Sequence, residues 1–164
     1  YLKMIQCKTA VLVAAAMKMG AIIAETSQEN ADLIYDFGLN LGLAFQLQDD
    51  YLDAFGDPET FGKQVGGDII ENKKTFLYLK AVAFSKEEEA QELRRLFAIH
   101  PADNFAKIKT VKELFIASGA AKATQDAIQD FTFKAFHTLE KMNIDSDKKA
   151  LLKIFGENLM GRKV

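Results

Sequence analysis

Tryptophan is absent from this chain, cysteine occurs once and proline twice. The single thiol, Cys7, excludes an internal disulfide framework and fits a reducing compartment, so a cytoplasmic location is expected. With proline only at Pro58 and Pro101, long stretches carry nothing that would break a helix. Neither sign of charge dominates: 21 basic against 23 acidic side chains leave a formal charge of −2. That balance provides neither the footprint of a nucleic-acid binder nor a polybasic membrane anchor. Long hydrophobic runs are scarce as well. The most apolar stretch, residues 11–24, is interrupted by Lys18 and is shorter than the roughly 20 residues that a bilayer demands. It lacks the charged leader and cleavage site of a secretory signal and is expected to be a buried helix. His100, His137 and Cys7 are too scattered for a zinc site.

What remains is the composition of a folded globule: 164 residues, 49 % hydrophobic and 27 % charged, enough for one compact domain. Almost every segment between turn signals has helical spacing. Helices are expected over about residues 1–24, 27–55, 69–84, 86–99, 103–118, 120–142 and 146–161. Thr26-Ser27-Gln28-Glu29 reads as a capping box for the second helix, Asp68 with Glu71 as one for the third, and Ser85 with Glu88 as one for the fourth. The fold class is therefore all-α, a bundle whose helices bury one another. The second helix is apolar around much of its circumference and should be central. Tyr1 already lies inside a helical pattern with no capping residue before it, which points to a piece of a longer protein.

The chemistry concentrates on that second helix. On a helical wheel with Gln46 at the origin, Asp50 falls near about +40°, Asp53 near about −20° and Asp49 near about −60°. Three carboxylates on one arc repel one another by about 0.2–0.5 kcal/mol per pair. They also crowd the C-terminal end, where the helix dipole disfavours negative charge. A hard divalent cation would relieve both penalties, and oxygen-only ligands point to Mg²⁺. Leu39, Gly42 and Leu43 share the arc one to two turns upstream, so the face changes from apolar to acidic along its length.

A glycine-rich segment follows at residues 61–68. It is not a P-loop, because no glycine stands four residues before Gly62-Lys63 and no Ser or Thr follows the lysine. Its glycines suit a loop that approaches a ligand closely; from the residues alone Lys63 is either a point charge for phosphate or an ordinary surface lysine.

Lys8-Thr9, then Phe45-Gln46-Leu47-Gln48-Asp49-Asp50-Tyr51-Leu52-Asp53, then Phe55-Gly56-Asp57, the Gly62 to Ile69 segment and Lys73 occur in one order. In that order the chain resembles the trans-isoprenyl diphosphate synthases, with the specific part confined to residues 38–77. The resemblance implies an isoprenoid-synthase-type helical bundle, usually homodimeric, of which residues 1–164 would form the C-terminal part of a single domain. It implies two Asp-rich motifs facing each other across a pocket and holding Mg²⁺ on an allylic diphosphate, with Asp49, Asp50 and Asp53 as the second motif and Asp68 at its edge. Lys8, Lys63 and Lys73 would contact diphosphate oxygens; Thr9 and Gln46 would line the reacting region. Leu39, Gly42, Leu43 and Phe45 would face the prenyl tail. The implied reaction condenses the allylic diphosphate with isopentenyl diphosphate. The chain contains no second DDxxD, so the isolated chain is expected to be inactive. A class I terpene cyclase and a non-catalytic partner subunit of a prenyl synthase are the alternatives.

Overall fold

The computed structural model describes residues 1–57 and 65–161, and all regular structure among them is helical. Helix α1 (Leu2–Ile5) runs through a π-helical segment (Gln6–Ala10) into α2 (Val11–Ile23). Then come α3 (Gln28–Phe55), α4 (Gly67–Ile70), α5 (Phe76–Phe84), α6 (Glu87–Leu96), α7 (Phe105–Ala117), α8 (Ala120–Lys141) and α9 (Ser146–Met160). The chain divides into two compact units, Tyr1–Gln46 with Ala127–Arg162, and Leu47–Asp126. The division falls inside α3, between Gln46 and Leu47, and inside α8, between Asp126 and Ala127.

In the first unit, Ile34, Phe37 and Leu41 of α3 pack with Ala135 and Leu139 of α8 and with Met142. Asn30, buried at the start of α3, exchanges two hydrogen bonds with Asn143: its Nδ2 donates to the Asn143 carbonyl at 2.9 Å, and the Asn143 amide donates to its Oδ1 at 3.0 Å. Gly38 and Gly42 allow α3 to approach the N-terminal helix closely. A Cβ at Gly38 would meet Ala14 Cα at 2.9 Å, and one at Gly42 would meet Ala10 Cα at 2.8 Å. In the second unit, Leu77, Tyr78 and Ala81 of α5 pack with Leu93 of α6 and with Val111 and Phe115 of α7. The Tyr78 and Phe97 rings lie 4.3 Å apart in this core.

Several expected boundaries move. The Ser27 hydroxyl, not that of Thr26, accepts the Asn30 amide at 3.2 Å and caps α3. The expected box at Ser85 shifts by one residue, with the Lys86 amide donating to Glu89 Oε2 at 3.3 Å. The expected helix over 69–84 is broken into α4 and α5. Asn72 adopts φ 57°, and the Asn72 and Lys73 amides bond back to Ile69 and Asp68, closing α4 in a Schellman turn. Asp68 therefore does not cap a long helix.

The N-terminal helix also departs from expectation. Leu2–Ile23 is long and apolar enough to cross a membrane by length and composition, a test that core helices of soluble proteins also pass. It is not buried throughout: Ile5, Ala10 and Ala14 are covered, whereas Leu12 is 73 % and Ile23 80 % exposed. The described residues pack against only one of its faces.

Close packing at Gly42 and open space at Gly20 give opposite expectations for the same substitution. Gly42→Ala gains about 1 kcal/mol of helix propensity, yet overpacking costs about 1–3 kcal/mol, so net destabilisation is expected. Gly20→Ala has nothing within 4 Å of the new methyl and should stabilise by about 0.5–1 kcal/mol. Urea unfolding of the two variants tests the pair; a stabilised Gly42→Ala would contradict the packing account.

Candidate functional site

The last turns of α3 carry Asp49, Asp50 and Asp53, as the wheel requires. Asp50 is 6 % exposed, and Asp49 and Asp53 are partly buried. The chain then returns onto Asp53. The Asp68 amide donates to Asp53 Oδ2 at 2.9 Å, and the Gly66 amide donates to the Asp53 carbonyl at 2.6 Å. Glycine is needed for this return. Gly66 has φ 88°, and a Cβ on Gly67 would sit 3.1 Å from Asp53 Oδ1.

Burial pushes the Asp53 carboxyl above its ordinary value. The Asp68 amide opposes that shift, the Asp68 and Asp49 carboxylates add to it, and Lys73 works against it. The Asp68 carboxylate is turned to Lys73, whose Nζ lies 2.8 Å from Asp68 Oδ1 and 2.7 Å from Glu71 Oε2. Those two bonds raise the Lys73 ammonium above its ordinary value.

Among the described residues no three His, Cys, Asp or Glu side chains converge into a metal cage. The donor chemistry nevertheless suits Mg²⁺, which commonly takes one or two carboxylates and fills its other positions with water and phosphate oxygens. Asp53 Oδ2 is already taken by the Asp68 amide, leaving Oδ1 as the freer donor of that residue.

In the first unit, Lys8 and Thr9 occupy the π-helical segment, and the Thr9 hydroxyl donates to Gln46 Oε1 at 3.0 Å. Lys8 is exposed. π-Segments recur at functional sites because they displace side chains from the regular spiral. Nothing in the composition of Gln6–Ala10 announced this one. Leu39 and Phe45 are partly buried and Leu43 is buried. The missing side chain of Gly42 is replaced by Ala10, so this glycine serves helix packing. Lys63 lies outside the described residues.

Sequence reasoning missed Lys107, a lysine only 3 % exposed on α7, and its partner Asn72. A buried lysine has no pattern of its own in sequence. Asn72 did carry a signal, since asparagine tolerates the left-handed conformation that ends helices.

A family model described as polyprenyl synthetase matches residues 1–115. A short chain isoprenyl diphosphate synthase of Methanothermobacter thermautotrophicus is 34 % identical over 163 residues, covering 99 % of this chain and 49 % of the relative. Among solved structures, a geranylgeranyl pyrophosphate synthase superposes with a TM-score of 0.91 at 54 % identity, covering 100 % of this chain and 51 % of that one. A polyprenyl synthase from Caulobacter crescentus, complexed with calcium and isoprenyl diphosphate, gives 0.88 at 38 % identity, covering 100 % and 49 %. The chain thus spans about half the length of these relatives.

The crowded carboxylates carry a stability cost with a definite sign. A carboxyl whose folded value is raised favours the fold at low pH and loses that contribution as pH rises through the folded value. Asp53→Asn should therefore raise the melting temperature at neutral pH without metal, and the gain should fade below about pH 4, near the ordinary aspartate value. Thermal unfolding from about pH 3 to about pH 8, on either side of the ordinary aspartate value, tests this; a variant less stable at neutral pH would contradict it.

Proposed function

The chain belongs to the polyprenyl synthetase family, and from that premise we propose that it supplies one of two acidic motifs of a prenyltransferase. That enzyme joins an allylic diphosphate to isopentenyl diphosphate. The observation that carries the reading is the Asp49, Asp50 and Asp53 cluster on α3, with the Asp68 amide bonded to Asp53. Carboxylates assembled against their own repulsion, beside a lysine-bearing turn, suit a site that receives cations and diphosphate together.

In this reading Asp49, Asp50 and Asp53 hold Mg²⁺, and Asp68 keeps Asp53 oriented through its amide. Bound Mg²⁺ would neutralise the negative charge that builds up on the departing diphosphate. Lys8, Lys63 and Lys73 are proposed to supply point charges for diphosphate oxygens. Lys73 must share its ammonium with Asp68 and Glu71, which keeps it in place before ligand arrives. The allylic C–O bond breaks, the isopentenyl double bond forms the new C–C bond, and a proton is lost to the released diphosphate. Thr9 and Gln46 line the reacting region, and Leu39, Leu43 and Phe45 provide apolar surface for the tail. Gly42 contributes by letting α3 and the N-terminal helix approach. A cytoplasmic homodimer completes the proposal.

The test uses the complete protein with Mg²⁺, isopentenyl diphosphate and labelled allylic diphosphate. Chain-extended product is expected, and Asp50→Ala should lower kcat by about 10²-fold or more, the scale of losing one preorganised electrostatic contact. Diphosphate release that continues without isopentenyl diphosphate would point to a cyclase instead. The isolated 164-residue chain should make no product, and product from it would overturn the two-motif reading.

A further inference from the structure

Lys107 is a charged side chain buried among neutral oxygen acceptors. Its Nζ donates to Asn72 Oδ1 at 2.6 Å and to the Ile99 carbonyl at 3.1 Å, with the Ile70 carbonyl at 3.5 Å. All three acceptors are neutral. Burial lowers its affinity for a proton, so the site tolerates an ammonium at a cost. An apolar side chain of similar length would fill the same space on α7 without that cost. What it could not do is hold three oxygen acceptors at one point.

Those acceptors come from two places in the chain, the turn that closes α4 and the segment after α6. Ile70 ends α4, Asn72 is the left-handed residue that closes it, and Ile99 follows α6. The Asn72 amide group also donates to the Ile99 carbonyl at 3.2 Å and lies 3.1 Å from His100 Nε2. The next residue is Lys73. Its amide bonds to the Asp68 carbonyl at 2.9 Å and its ammonium to the Asp68 carboxylate, while the Asp68 amide bonds to Asp53. Direct contacts therefore run from Lys107 through Asn72 and the α4 turn to the acidic face of α3, all within the second unit.

We propose that Lys107 is a positioning residue: through Asn72 it anchors the turn after α4, so that Asp68 stays on Asp53 and Lys73 stays on Asp68. Its consequence for catalysis rests on the proposed prenyltransferase reading; its effect on the turn does not.

Three variants of the complete protein test this. Lys107→Met removes the cation and keeps the volume. Asn72→Gly keeps the left-handed backbone and removes the side-chain acceptor. Asn72→Asp keeps both the acceptor and a residue tolerant of that backbone. The first readout is amide hydrogen exchange in metal-free protein. Lys107→Met and Asn72→Gly should speed exchange at the Asp68 and Gly66 amides by about tenfold or more, which corresponds to about 1.4 kcal/mol of lost local protection. The Val111 and Phe115 amides of α7 should be unaffected, and Asn72→Asp should keep Asp68 protected. The second readout is kinetic: the Mg²⁺ needed for half-maximal activity and the KM for allylic diphosphate should rise more than kcat falls.

Unchanged exchange at Asp68 in both disruptive variants would overturn the proposal. So would uniform acceleration across α7 with kcat falling in step, because that marks a merely structural lysine. If the unaltered protein makes no prenyl product while Lys107→Met still frees the Asp68 amide, the positioning role stands and the prenyltransferase reading falls.

Discussion

Repulsion among the carboxylates at the end of α3 is the constraint around which the second unit is arranged. Like charges at helical spacing weaken a helix, and the C-terminal dipole adds to the penalty. The fold offsets this only in part. It supplies Asp53 with one amide, from Asp68, and brings Lys73 near through the Asp68 carboxylate. Burial still leaves the Asp53 carboxyl above its ordinary value. A structure selected for stability alone would place asparagine or a lysine partner here. A divalent cation, if bound there, would relieve that residual repulsion.

The first unit obeys a different constraint, the distance between two helix backbones. Gly38 and Gly42 face Ala14 and Ala10 so closely that no Cβ fits. This approach lets the Thr9 hydroxyl reach Gln46 across the helix pair. The π-helical segment at Gln6–Ala10 contains both the hydrogen-bonding Thr9 and the contact residue Ala10. Packing and polar geometry are therefore set by the same few residues. A larger side chain at Gly42 would act on Thr9 through the backbone, without touching it.

The sequence shows the helical class, the long helix that became α3 and the acidic face, because these follow from periodicity and from residue type alone. The ends of α7, α8 and α9 come within two residues of expectation for the same reason: Gly119 and the polar 143–146 stretch punctuate them. Other features stay hidden. The π-segment arises from one extra residue in a turn and has no composition of its own. The role of Gly42 depends on what faces it, and a helical wheel assigns a direction without a neighbour. The exposure of Leu12 and Ile23 is a tertiary fact that apolar content cannot foretell.

The break after α4 is a further departure, and the most informative, since it changes what Asp68 and Lys73 can do. In the unbroken helix expected over 69–84, residues five apart would stand about 140° apart around the axis and could not pair. The Schellman turn reverses the chain at Asn72, so that Lys73 lies back over Asp68 with both its amide and its ammonium engaged. Asparagine at the left-handed position makes that reversal tolerable. It also presents the Oδ1 that Lys107 holds. A helical break that looks like lost regularity is thus what converts two residues distant on a wheel into one ion pair beside Asp53.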